Sequence, residues 1–440
     1  MSRRGLYWFH NDFRLTDNPL LQAAAEQVDD MLCVCSPPQM THFLSRFSLQ
    51  CQLGASREAF WSQSASDLAA SLAKLGQSLY CLPDLSAASL AALIREQGIT
   101  HLYCQRFAGI DEQRIVDALQ ATCHDLNIIQ RESGHILDES ELPFSLAELP
   151  ATFSRFRKHV EPIAVPGPLP AVETLPSVIE VDYPLVTTSL CQSGQFLGGE
   201  SAALAHCDDY FSTSNASHYK ATRNGLEGMA YSTKFSPWLA QGCLSARTIL
   251  AKLAQYETAH GANESTYWIT FELLWRDYFY WYARLHRQRL FAFRGITDQA
   301  PLTSFYPERF AAWIAGETPY AIVNACMKQL RATGYMSNRG RQLVASCLVH
   351  ELGMDWRYGA AYLETQLVDY DVASNWGNWQ YLAGVGADPR SGRQFNLEKQ
   401  TQTYDPDGEF IRSWQGTPSH SCLDAFDYNG WPIEDCGEAR

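Results

Sequence analysis

The sequence predicts an α/β domain on a doubly wound, Rossmann-like parallel sheet, followed by an all-α domain. Three observations carry this: strand–helix alternation up to about residue 130, a proline-rich stretch beyond it, and nearly unbroken helical periodicity from residue 196. Short apolar runs at 6–9, 31–36, 78–82, 101–104 and 127–130 read as strands. Between them, residues 52–75, 87–97 and 112–126 repeat apolar positions at helical spacing. That alternation implies parallel strands, because parallel neighbours need a long, usually helical crossover. No Gly-x-Gly-x-x-Gly follows the first strand, so a dinucleotide fingerprint is not expected there.

From Pro162 to residue 195 the chain carries Pro166, Pro168, Pro170, Pro176 and Pro184 and loses its period. It reads as a connector laid over the surface. Helical patterns then cover 201–211, 237–257, 266–285, 319–332, 339–352 and 358–367. The expected division is 1–135, a linker at 136–195, and 196–440.

Bulk properties narrow the class. A chain of 440 residues exceeds one typical core, so two domains are natural. With 46% hydrophobic and 19% charged residues it is a folded globular protein, not a disordered one. The 13 cysteines show no paired metal-type spacing, and MSRRGLYWFHNDFR has no apolar signal core. Reduced thiols in the cytoplasm are the expectation, with no metal and no membrane span. A net charge of −14 argues against a general nucleic-acid binder, although a local basic groove can hide in an acidic total.

Residues 334–402 carry the chemistry. Asp369, Asp371, Arg339, Arg341, Asn338 and Asn375 lie there among aromatics, a mixture suited to a large, flat, redox-active ring. Asn375 and Trp379 are four apart and share a helix face. An amide can bond a ring nitrogen whose protonation follows its redox state, and a tryptophan one turn away can deliver an electron. The competing reading is a Trp-rich helix packed in a core.

Two further segments stand out. In YSTKFSP, Ser236 is a candidate N-cap and Pro237 the first helical residue. The free amides there, with Ser232, Thr233 and Lys234, would hold a phosphate; an ordinary capped helix looks the same. In TFELLWRDYFYWY, Glu272, Trp275 and Arg276 share a neighbourhood. An exposed ion pair would contribute only ~0.3–0.5 kcal/mol, but charges embedded in aromatics need a buried partner or a ligand. FSRFRKHVE, Arg390, Arg393 and Lys399 are basic and could meet phosphates, although charge runs are usually solvated faces.

These segments resemble the photolyase/cryptochrome family. WFHNDFRL, FSRFRKHVE, YKATRNG, YSTKFSPWLAQGCLS, ELLWRDYF, MSNRGRQLVAS, DYDVASNWGNWQYLAGVG and DPRSGRQFNLEKQ carry the likeness from end to end. MSNRGRQ, with Tyr381 where repair enzymes of duplex DNA usually have Trp, is similar to the cryptochrome DASH branch. The resemblance implies an α/β antenna domain and an all-helical domain holding a folded FAD. It would place Tyr219, Thr233, Lys234, Phe235 and Ser236 at the flavin phosphates. Arg276, Arg341, Asp369 and Asp371 would surround the isoalloxazine and ribityl groups, with Asn375 beside flavin N5. Glu272, Trp275, Asn338, Gln342 and Tyr381 would line a lesion cavity, and Trp379 then Trp356 would pass electrons toward the surface.

The implied activity is blue-light-driven repair of cyclobutane pyrimidine dimers by a monomer, preferentially in single-stranded DNA, with RNA left open. The dimer must be turned out toward the flavin at a cost of a few kcal/mol, lowest in single strands. The alternative is a blue-light photoreceptor without repair. Four positions depart from the family pattern, and one of them, His10 in WFHND where WFRND is more usual, has no evident consequence. Thr303 falls where the outermost tryptophan is expected, with Phe305 or Tyr306 as substitutes. Asn324 replaces a usual acid. Phe107 stands where the branch grips 5,10-methenyltetrahydrofolate with a glutamate, so Asp111 or Glu112 would have to serve.

Overall fold

The computed structural model describes residues 2–186, 194–387 and 393–419. Arg390 therefore lies outside the described residues. Strands β1 (Arg4–Trp8), β2 (Asp30–Cys35), β3 (Leu79–Cys81), β4 (His101–Gln105) and β5 (Asn127–Arg131) pair in the order β3-β2-β1-β4-β5, all parallel. Gly5 of β1 pairs with Met31 on one side and His101 on the other, so the winding reverses at β1.

The strand residues are apolar on both faces because both faces are covered. Tyr7, Cys33 and Tyr103 pack against Leu20, Leu21, Phe60, Leu68 and Leu72 of helices α1 (Pro19–Gln27) and α3 (Ala55–Lys74). Leu6, Trp8, Leu32 and Leu102 pack on the other side against Leu90, Leu93 and Leu119 of α4 (Ala87–Glu96) and α5 (Ile110–Thr122). Helix α2 (His42–Ser48) leaves this layer and packs on the helical part.

The connector is not merely a surface strap. It contains α6 (Phe153–Val160) and a short strand β6 (Ser177–Val178), which pairs in parallel with Asp30 and Met31 of β2. Beyond it come α7 (Glu200–Ser212), α8 (Asn215–Thr222), α9 (Ser236–Gln241), α10 (Ala246–His260), α11 (Glu264–His286) and α12 (Pro307–Ala315). Then follow α13 (Ala321–Thr333), α14 (Asn338–Ser346), α15 (Trp356–Gln366), α16 (Val372–Leu382), α17 (Leu397–Tyr404) and α18 (Glu409–Ser413).

Two expected helices differ. The span 237–257 is broken between α9 and α10. Gly242 ends α9 at φ +72°, and a Cβ there would lie 1.9 Å from the carbonyl oxygen of Asn11. Only glycine lets the helical part approach the sheet part that closely. The span 339–352 begins as α14 but finishes in a π-helical turn, Cys347–Glu351.

Candidate functional site

One cavity of about 540 Å³ in the helical part is bordered by every residue that the family resemblance places at the cofactor or substrate, but not by Arg339, which bonds Gln400 and Asn224 instead. Of the candidate electron-path residues it includes Trp379 but not Trp356. Four segments build it.

Helix α11 is the longest wall. Asn263 caps it by accepting from the Ser265 and Thr266 amides, and the Thr266 hydroxyl accepts from the Asn263 amide in return. Glu272, Trp275 and Arg276 thereby face the cavity together. Glu272 and Arg276 do not pair with each other. Glu272 pairs with Arg223, just past α8, while Arg276 donates to the carbonyls of Gly134 (2.9 Å) and Leu239 (3.2 Å). Burial raises the Glu272 carboxyl above its ordinary pKa, and the Arg223 charge opposes that rise.

Helix α14 starts where Ser337 accepts from the Gly340 amide (3.1 Å), which aligns Asn338, Arg341 and Gln342 on one face. Arg341 grips Asp369 with two bonds from one nitrogen, 2.8 and 2.7 Å, and its Nε donates to the Met336 carbonyl. Asp369 is buried, so the pair forms a fixed charged edge of the cavity.

Helix α16 starts at Asp371, whose carboxylate accepts from the Ser374 amide (2.7 Å). Asn375, Trp379 and Tyr381 reach the cavity from it. The Asn375 amide nitrogen donates to the Ala360 carbonyl at 3.0 Å, which fixes the side chain's orientation. Tyr381 lies 6.0 Å from Trp275 and under the Arg393 guanidinium (4.5 Å). Trp275 itself stacks on Phe153 at 3.8 Å. The FSRFRKHVE helix thus supports the site through its aromatic, and its Arg157 bonds the Tyr267 hydroxyl instead of reaching the cavity.

The segment 232–236 closes the opposite end, with Tyr219 of α8 beside it. Ser236 is not the N-cap: Phe235 occupies that place in a helical conformation, so Ser236 begins α9. The Ser232 and Ser236 hydroxyls instead meet the Tyr335 phenol. Lys234 is 4% exposed, sits at φ +54°, and holds its ammonium 4.7 Å from the Tyr335 ring centre. Burial lowers its pKa to about 8. A left-handed lysine costs of the order of 1–2 kcal/mol, and a desolvated ammonium costs more, so this position suits an anionic ligand.

Residues 268–420 match a family model described as the FAD binding domain of DNA photolyase, and residues 5–175 match one described as DNA photolyase. A cryptochrome DASH of Vibrio parahaemolyticus is 57% identical over 98% of this chain and 97% of its own. One of Idiomarina loihiensis is 51% identical, with the same coverage of 98% and 97%. This chain belongs to the cryptochrome DASH branch of the photolyase/cryptochrome family. Among solved structures, the Synechocystis sp. PCC6803 cryptochrome superposes with a TM-score of 0.84 at 36% identity, covering 94% of this chain and 89% of that one. A bacterial class III photolyase from Agrobacterium tumefaciens gives 0.78 at 25% identity, covering 94% and 86%.

The cavity fits the FAD of a cryptochrome DASH. Its buried ammonium at Lys234 meets the need of a pyrophosphate, and the Arg341–Asp369 edge and the Asn375 amide meet those of a polar ring. Trp379 is buried against α15, where Gly359 leaves room: a Cβ there would lie 2.2 Å from Trp379 Cη2. Its ring neighbour is Trp313 (6.3 Å), while Trp356, one turn before Gly359, contacts Trp376 (5.7 Å). Phe107, at the expected folate position, is buried against Trp8 (5.0 Å) and His10 (5.3 Å). It brings no carboxylate; Glu112, 3.5 Å from His10 Nε2, is the nearer acid, and Asp111 instead pairs with Arg114.

Sequence reasoning missed Arg223 as the partner of Glu272, and Tyr335 as the hub beneath Lys234. Arg223 lies inside YKATRNG, but nothing in the local pattern reveals a partner on another helix.

Proposed function

We propose that this cryptochrome DASH splits cyclobutane pyrimidine dimers in single-stranded DNA in a light-driven, FAD-dependent reaction. The observation that carries it is continuity: Asn375 and the Arg341–Asp369 edge border the same open cavity as Glu272, Trp275, Asn338 and Tyr381. When bound, FAD supplies light absorption and the electron that enters and leaves the dimer.

The chain's residues do the rest. Lys234, with Thr233 and Ser236, holds the pyrophosphate. Arg341 and Asn375 fix the ring's polar edge. Trp275, braced by Phe153, and Tyr381 give the turned-out dimer two aromatic surfaces. Asn338 and Gln342 offer amides to its carbonyls. Glu272, set on the cavity wall by Arg223, stabilises the charge that develops on the dimer through a charge-assisted hydrogen bond; burial favours the proton that this bond needs. Unpaired bases leave a strand at least cost, which favours single-stranded substrate. A folate antenna would have to rely on Glu112, since Phe107 supplies no carboxylate.

The test is direct: reduced holoprotein, a single-stranded oligonucleotide with one defined dimer, and blue light. Restored pyrimidines support the reading, and an unchanged dimer refutes it.

A further inference from the structure

An electron drawn from Trp379 must be replaced, and the position expected to lead outward is Thr303, which has no oxidisable ring. The surroundings of Trp356 suggest another route. Trp356 is wholly buried, and its N–H donates to the Phe293 carbonyl at 3.1 Å, a group that cannot take a proton. Trp313, beside Trp379, likewise donates to a carbonyl, that of Val344, at 3.0 Å. Trp376 differs. Its ring lies 5.7 Å from Trp356 at 76°, and its N–H donates to the Glu364 carboxylate at 2.8 Å.

We infer that Trp376 is the outer electron donor of the path beginning at Trp379 and Trp356, and that Glu364 accepts its indole proton. This rests on the light-driven flavin reading above. The chemistry closes. Bound flavin would supply the light-driven oxidant; Trp379 would give up one electron to it, Trp356 would refill Trp379, and Trp376 would refill Trp356. An indole that has lost an electron is a far stronger acid than the neutral ring, so the N–H bond of Trp376 breaks and an O–H bond forms on Glu364. A neutral indole radical and a neutral carboxylic acid remain. Trp376 is itself wholly buried beneath Phe43 and Phe291, so a soluble thiolate at the surface later returns one electron across those packed rings, becoming a thiyl radical, and Glu364 returns the proton.

The groups facing Glu364 suit this role. Arg57 lies beside it, Tyr370 shares a hydrogen bond with it, and Glu112 adds a nearby negative charge. Burial raises its pKa, which makes its ionised form a better base than an ordinary carboxylate. Proton loss traps the charge, because recombination then requires the proton to return.

The experiment uses full-length holoprotein with oxidised FAD, a blue flash, and transient absorption with paramagnetic resonance on ring-deuterated tryptophan. The wild type should leave a neutral radical on Trp376 whose formation slows in heavy water. In Trp376→Phe the radical should stay cationic on Trp356 or Trp379 and recombine at least ten-fold faster. Glu364→Gln keeps the ring packing but should leave a cationic radical and also shorten its lifetime at least ten-fold. A neutral radical of unchanged lifetime in both variants, with normal flavin reduction in the wild type, overturns the inference alone. A wild type with no light-driven flavin reduction overturns the underlying reading as well.

Discussion

Glu272 and Arg223 form an ion pair at the cavity wall, joining α11 to the end of α8. The carboxylate is thereby held in place before any substrate arrives, with burial and the guanidinium pulling its pKa in opposite directions.

Glu272→Gln keeps the shape but loses the acid. Hydrogen bonds involving charged groups contribute about 1.5–3 kcal/mol, so repair yield should fall about ten- to hundred-fold while the flavin spectrum is unchanged. Dimer loss per absorbed photon is the measurement. An unaltered yield would remove Glu272 from the chemistry.

Lys234 separates stability from function. Its pKa of about 8 in the folded apoprotein lies below the ordinary 10.5, so the folded chain binds fewer protons than the unfolded one between those values. Stability therefore rises with pH across that window, and the penalty, of the order of 3 kcal/mol, is fully present below pH 8. Lys234→Met should raise the melting temperature of deflavinated protein at pH 7 while weakening FAD binding. Thermal melts and flavin titrations of both proteins check this; a variant that binds FAD as tightly as wild type contradicts it.

Asn324, where relatives of the family are expected to carry an acid, uses its amide fully. Its oxygen accepts from the Thr318 amide (2.8 Å) and hydroxyl (2.7 Å). Its nitrogen donates to the Thr318 (2.7 Å) and Thr417 (2.9 Å) carbonyls. Asn324→Asp would set a carboxylate against two carbonyls in a fully buried place. A loss of about 2–4 kcal/mol in denaturant unfolding is expected at neutral pH, with partial recovery in acid as the carboxyl protonates.

Gly359 is the floor beneath Trp379. Gly359→Ala forces a methyl into the indole and should cost about 1–3 kcal/mol. Trp379→Phe should leave the fold intact and slow photoreduction of oxidised FAD by at least ten-fold, measured as loss of flavin absorbance under blue light. Equal rates in that variant would take Trp379 out of the path.

Much of the fold was legible because the central strands are apolar on both faces and match only a covered parallel sheet. The break at Gly242 was not, since its cause is the Asn11 carbonyl in the other part of the chain. Strand β6 was hidden by the prolines around Ser177. Within the site, i to i+4 spacing placed Asn375 with Trp379 and Glu272 with Arg276, but spacing says nothing about partners on other helices. Arg223, Tyr335 and the Trp356–Trp376 contact became visible only in three dimensions. The roles of Tyr219 and Gln342 came from the family resemblance and not from the residues themselves.

The central claim is tested most directly by illuminating reduced holoprotein with a single-stranded oligonucleotide bearing one cyclobutane thymine dimer and resolving the products by chromatography. The account predicts intact thymines after blue light, none in the dark, and slower repair of the same dimer in duplex. A dimer that survives illumination while the flavin remains bound and reduced would contradict it.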